Sequence, residues 1–120
     1  FGDKYLKLKE LAKIYSFKDD FIKLFELIKD SIVLLEHYEV KLLKEFPKEY
    51  VQKYTSHINK LIEQKSRTSY QNAIHYMKKI KYIYDELFKD NEKWSIYLNN
   101  IKGSNSKLRA LLEEIKMAKL

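Results

Sequence analysis

His37, His57 and His75 are the chain's three histidines, and they are widely spaced. None stands in the HExxH spacing that sets two imidazoles on one helix face. With no cysteine to supply a thiolate, a metal site would need distant residues to converge. His57 adjoins Ile58, and His75 lies between Ile74 and Tyr76, so both read as structural residues beside an apolar stripe. Ser66, Ser69, Ser95, Ser104 and Ser106 fall at helix starts or near Gly103, where capping accounts for them. There is no GxSxG elbow and no glycine loop able to cradle a phosphate. The paired acids Asp19-Asp20 and Glu113-Glu114 read as solvated helix positions. The expectation is a protein that is not an enzyme, with no metal, no cofactor and no small-molecule substrate.

Binding chemistry is the remaining prospect. The formal charge is +7 and it is uneven. Residues 1–60 carry twelve Lys against ten acids (12 − 10 = +2), and residues 61–120 carry ten Lys and two Arg against seven acids (12 − 7 = +5). A basic balance suits nucleic acid or another acidic partner. Base readout and bidentate phosphate contacts favour Arg, however, and these cations are almost all Lys. Lys, Ile, Asn and Tyr are also the residues an AT-rich genome over-supplies. The one charge pattern that stands out is Lys102, Arg109 and Lys116, a candidate basic interaction line at seven-residue spacing. The ten Tyr could stack bases beside Lys, but nearly all fall on or beside the apolar stripes, where a ring packs and its hydroxyl reaches the rim.

The elements that must carry these residues are helices. Two Gly and one Pro in 120 residues leave little punctuation for the turns of an all-β fold. No apolar run approaches the roughly 18 residues of a membrane span. Ser66 to Phe88 is the organising stretch. Tyr70, Ala73, Ile74, Met77, Ile80, Tyr84, Leu87 and Phe88 recur at spacings of three and four, the period of one helix face. Tyr76 and Ile83 widen that stripe enough to pack against more than one neighbour.

Before it, Tyr5, Leu8, Leu11, Ala12 and Tyr15 predict a first helix, and Ser16-Phe17-Lys18-Asp19 reads as a capping box for a second. Residues 17–46 form one helix or two; a break near Asp30 or near His37 is favoured. Ile32-Val33-Leu34-Leu35 reads as buried on all sides. Pro47 suits a first helical position, and Tyr50, Val51, Tyr54, Ile58, Leu61 and Ile62 predict a helix ending near Gln64. Asp90 is the expected N-cap of the last helix. Trp94, Leu98, Ile101, Asn105, Leu108, Leu112 and Ile115 keep phase straight through Gly103-Ser104-Asn105-Ser106. That phase predicts one helix from about Asn91 to Lys116, kinked near Gly103. The expected core of this half is Tyr70, Met77, Ile80, Trp94, Leu98, Ile101, Leu108 and Leu112. The fold class is therefore all-α, with five or six antiparallel helices in a repeat-like array or an irregular bundle. Phe1-Gly2, with neither an initiator Met nor a signal-peptide core, suggests a single helical domain, residues 1–120, cut from a longer protein. The lack of Cys agrees with a cytoplasmic location.

Several stretches carry a family resemblance. Arg67-Thr68-Ser69-Tyr70, Ala73-Ile74-His75-Tyr76-Met77-Lys78-Lys79, Trp94-Ser95-Ile96-Tyr97-Leu98 and Lys107-Leu108-Arg109-Ala110-Leu111-Leu112-Glu113-Glu114 resemble the C-terminal helical region of bacterial SWIM zinc-finger proteins. Phe46-Pro47-Lys48-Glu49-Tyr50-Val51 and Tyr5-Leu6-Lys7-Leu8-Lys9-Glu10-Leu11-Ala12 fit the same region more loosely. The likeness spans most of the chain and rests on apolar helix patterns. Gly103-Ser104-Asn105-Ser106 departs from the bulkier residues of that region. The family's zinc motif, Cys-x-Cys followed by Cys-x-His, has no counterpart here, so no metal ligand is carried over. The resemblance implies a tetratricopeptide-like segment attached to a module that binds DNA or protein, and no enzyme activity. The partner it implies is a protein or another domain of the parent chain, with nucleic acid as the alternative and no membrane.

Overall fold

The computed structural model describes residues 2–120, and the fold is all-α, with no strand among the described residues. The helices are α1 (Gly2–Phe17), α2 (Phe21–Ile28), α3 (Ile32–His37), α4 (Glu39–Leu42), α5 (Pro47–Glu63), α6 (Arg67–Tyr82), α7 (Asn91–Ser104) and α8 (Arg109–Met117). A π-helical turn, Ile83–Leu87, follows α6 directly. The segments outnumber the five or six expected because two expected helices are interrupted. The chain divides into two compact units, the first ending at Lys53 and the second running from Tyr54 to Leu120.

In the first unit, residues 17–46 break near both candidate positions. Ser31 caps α3 by accepting the Leu34 N–H at 3.3 Å, and Tyr38 separates α3 from α4. The capping box expected at Ser16 does not form. The first helix runs on to Phe17, Ser16 is buried, and Asp20 caps α2 by accepting the Lys23 N–H. Of Ile32-Val33-Leu34-Leu35, only Leu34 and Leu35 are buried, and Val33 is largely exposed. The core gathers Ala12, Leu24, Phe25, Ile28, Leu34, Leu35, Leu42 and Tyr50, with Phe25 stacked on Phe46 at 4.4 Å.

Tyr50 closes a gap in the backbone hydrogen bonding of this unit. Its fully buried hydroxyl donates to the Leu35 carbonyl at 2.7 Å, beside the α3–α4 break. Burial, and secondarily the Glu39 carboxylate, pushes this phenol well above its ordinary value of 10.0. As pH climbs past 10 the unfolded chain loses the proton first, while the folded chain keeps it. The folded state then binds more protons, so stability falls with rising pH by up to about 1.4 kcal/mol per pH unit. Tyr50→Phe is expected to cost about 1–2 kcal/mol at pH 7 through the orphaned carbonyl. It should also flatten the alkaline decline between pH 10 and 12. Urea titrations of both proteins at pH 7 and pH 11 test this, and equal losses for the two proteins would refute it.

The second unit is built on α6. Ser66 caps it by accepting the Ser69 N–H at 3.1 Å, and Tyr70, Ala73, Ile74, Met77 and Ile80 are buried along its length. The π turn lets Phe88 N–H reach the Ile83 carbonyl at 2.9 Å. It adds a residue to the turn and keeps Ile83 fully buried at the end of the stripe. Asp90 caps α7 as expected, accepting the Lys93 N–H at 3.1 Å.

The expected continuous last helix is two helices. Asn105 Nδ2 donates to the Ile101 carbonyl at 2.8 Å, which ends α7 with a side chain in place of the next backbone donor. Leu108 N–H then bonds the Asn105 carbonyl at 3.0 Å and turns the chain into α8. Trp94, Leu98 and Ile101 are buried as expected, whereas Leu108 and Leu112 are only half-buried. Leu111, Glu114 and Ile115 take the inner positions of α8, which packs on α6.

Four of the helical segments end with one device. Asp19, Lys65, Lys89 and Lys119 each follow a helical segment with φ between 53° and 57°. This is the left-handed turn that commonly stops a helix and usually uses glycine. Gly103 instead lies inside α7, where an added Cβ would meet nothing within 4 Å.

Candidate interaction surface

Arg67, one of only two arginines, opens α6 and reaches α8. Its Nη2 lies 3.0 Å from Glu113 Oε2 and its Nη1 3.2 Å from Glu114 Oε2. Hydrogen bonds to Glu113 first and Glu114 second hold the guanidinium pKa above its usual value. The expectation that Glu113-Glu114 is simply solvated is thereby corrected, because Glu114 is buried and its charge is met by Arg67. The clamp fixes the α8 rotation that turns Leu111 and Ile115 inward.

That rotation decides where the basic line falls. Lys102 ends up on α7, while Arg109 and Lys116 lie on α8. The helix break removes the single-helix line, yet Lys102 and Lys116 still border one cleft of about 440 Å³. Arg109 does not line it. Lys119, which the spacing argument missed, completes the rim, and Leu112, Ile115 and Leu120 supply apolar wall. Among the described residues none of these three lysines forms an ion pair, unlike Lys89 and Lys93, whose partners are Glu86 and Asp90.

A second cleft, of about 430 Å³, has a mixed lining that includes one carboxylate, Glu63, beside Ile62 and Ile101. Thr55 and Asn59 of α5 and Tyr97 and Asn100 of α7 contribute to it. The Tyr97 hydroxyl oxygen is closed to solvent and has no well-formed hydrogen bond among the described residues. Burial pushes its phenol well up, and the Thr55 side chain acts in the opposite direction. Among the described residues no hydroxyl of this cleft is hydrogen-bonded to Glu63, as a nucleophile paired with its base would be.

The histidines pack against tyrosine rings, two of them against the same one. His57 and His75 each set an edge against Tyr76, at 4.8 and 4.9 Å, and His37 does so against Tyr38. No group of three or more His, Asp or Glu side chains converges among the described residues. No helix among them is long and apolar enough to cross a membrane.

No family model matches the chain, and no solved structure matches it. The chain is similar to the uncharacterized protein YwqB of Bacillus subtilis (strain 168), 32% identical over 74 residues. Those residues are 62% of this chain but 14% of that protein, so the chain spans only a small part of that relative's length.

Proposed function

We propose that this chain is a non-catalytic helical scaffold, an interaction domain of the kind that accompanies SWIM zinc-finger modules. Its partner is a protein or another domain of the parent chain. The observation that carries the reading is apolar surface left in water by the first unit. Leu6, Ile14 and Phe17 project from the side of α1 turned away from buried Ala12 and Ser16. Elsewhere in this unit Ile22, Val33 and Val40 are more than half exposed, and the most exposed apolar side chains are Val40 at 93% and Phe17 at 88%. Apolar side chains grouped on one exposed face, as Leu6, Ile14 and Phe17 are on α1, are what association surfaces are made of.

A photo-crosslinking amino acid at position 17, compared with one at exposed Glu92, tests the reading in cells. One protein should crosslink reproducibly from position 17, and its purified form should bind the chain. The triple variant L6S/I14S/F17S should weaken that complex about tenfold or more while keeping its helical circular dichroism. No crosslink above the Glu92 control, or unchanged binding by the triple variant, would overturn it.

A second reading, accessory nucleic-acid binding, draws on the shared cleft of Lys102 and Lys116. Contact with phosphates would give a slope of log K against log salt of about −0.9 per phosphate for duplex DNA. Without Arg109 in the cleft, the three-cation line has lost its best phosphate fork.

A further inference from the structure

We infer that the cleft between α7 and α8 binds an acidic protein segment through one inserted aliphatic side chain. This rests on the interaction-domain reading but concerns a surface separate from the α1 face. The charge argument is direct. Lys102, Lys116 and Lys119 rim the cleft without an ion-pair partner among the described residues, within a half-chain already in cationic excess. Like charges held around one opening repel, and an incoming carboxylate relieves that repulsion.

The walls decide which anion. Leu112, Ile115 and Leu120 are aliphatic, and no aromatic ring lines the cleft. Single-stranded nucleic acid is normally held by bases stacked on aromatic rings and by arginine planes, and this cleft offers neither. A leucine or isoleucine side chain does fit such a wall, because burying its apolar surface is favourable without directional partners. The break at Asn105–Leu108 creates the arrangement. A continuous helix would keep Lys102 and Lys116 on one straight flank, whereas the turn brings both to the border of one opening. Lys119, in the left-handed conformation with φ 57°, bends the chain after α8 so that its own side chain and Leu120 border the same opening.

The test uses the 120-residue chain and three fluorescein-labelled probes in anisotropy titrations. One is a short Asp/Glu peptide with two central leucines, the second carries serines in their place, and the third is an oligothymidine of matching charge. The leucine peptide should bind about tenfold or more tighter than either other probe. The variant K102E/K116E/K119E, with an unchanged unfolding midpoint, should lose that binding. A Lys peptide with the same two leucines should then bind the variant better than it binds the parent, a rescue that general damage cannot produce. Equal affinity for the leucine and serine peptides, or no binding of either, would overturn the inference. Oligothymidine binding as tightly as the leucine peptide, and lost in the variant, would replace it with the nucleic-acid reading. Crosslinking at position 17 is independent of all three probes, so a failed cleft and a failed interaction domain give different results.

Discussion

Trp94→Ala is expected to lower the unfolding free energy by about 3–5 kcal/mol, the range for deleting a buried aromatic side chain. The indole is 2% exposed and lies 5.8 Å from the Tyr97 ring. It begins an inner row on α7 that continues through Leu98 and Ile101, both buried. Removing it takes the largest side chain out of that row and leaves a cavity that α7, capped firmly at Asp90, cannot close by sliding. A loss of this size is a large part of the roughly 5–15 kcal/mol that holds a small domain folded. Trp94 is the chain's one tryptophan, so its fluorescence disappears with it. The comparison is therefore made by far-UV circular dichroism in urea. A shift below about 1 kcal/mol would show that the indole does not support the core of the second unit.

The helices were legible wherever one apolar period ran between chemically distinct ends. Pro47 at the start of α5, Ser66 before α6 and Asp90 before α7 each have a local physical cause that a sequence displays. A fixed φ, a hydroxyl acceptor and a carboxylate acceptor all act within three residues. The start of α2 was misread because Ser16 and Asp20 offer the same chemistry four residues apart. Burial of Ser16 on α1 decides between them, and burial is not a local property. Helix ends were less legible still. Lys65, Lys89 and Lys119 hold left-handed backbone that a reader assigns to Gly or Asn, and a lysine at such a place carries no mark of it.

The candidate surface shows the same division. Lys102 and Lys116 were visible as a seven-residue repeat, and the structure keeps them together around one cleft. The repeat could not reveal that the chain turns between them, nor that Lys119 joins while Arg109 does not. The Arg67 clamp on Glu113 and Glu114 bridges 46 and 47 residues, a separation at which no spacing rule operates. One signal did exist. In a chain whose cations are nearly all lysine, each arginine is a candidate for a bidentate partner.

Leu111→Ala and Leu112→Ala together decide the register of the last helix, and their expected effects differ sharply. In a helix unbroken through Gly103, the row from Trp94 would bring Leu108 and Leu112 inward. In the structure the turn at Asn105–Leu108 moves the inner position from Leu112 to Leu111, while Ile115 stays inward as the row expects. Leu111 is fully buried, Ile115 is 2% exposed, and Leu112 is half-buried beside the lysine-rimmed cleft. Leu111→Ala should therefore cost about 2–5 kcal/mol, the range for truncating a core leucine. Leu112→Ala should cost clearly less, because only part of its surface leaves water on folding. The Arg67 clamp makes the difference firmer. Rotating α8 to bury Leu112 instead would pull Glu114 away from its guanidinium, leaving a buried carboxylate without its charge partner. Denaturant midpoints for the two variants, measured with Trp94 fluorescence, settle the matter. If Leu112→Ala proves the more damaging, the chain runs as one helix through Gly103, and the cleft between α7 and α8 does not exist.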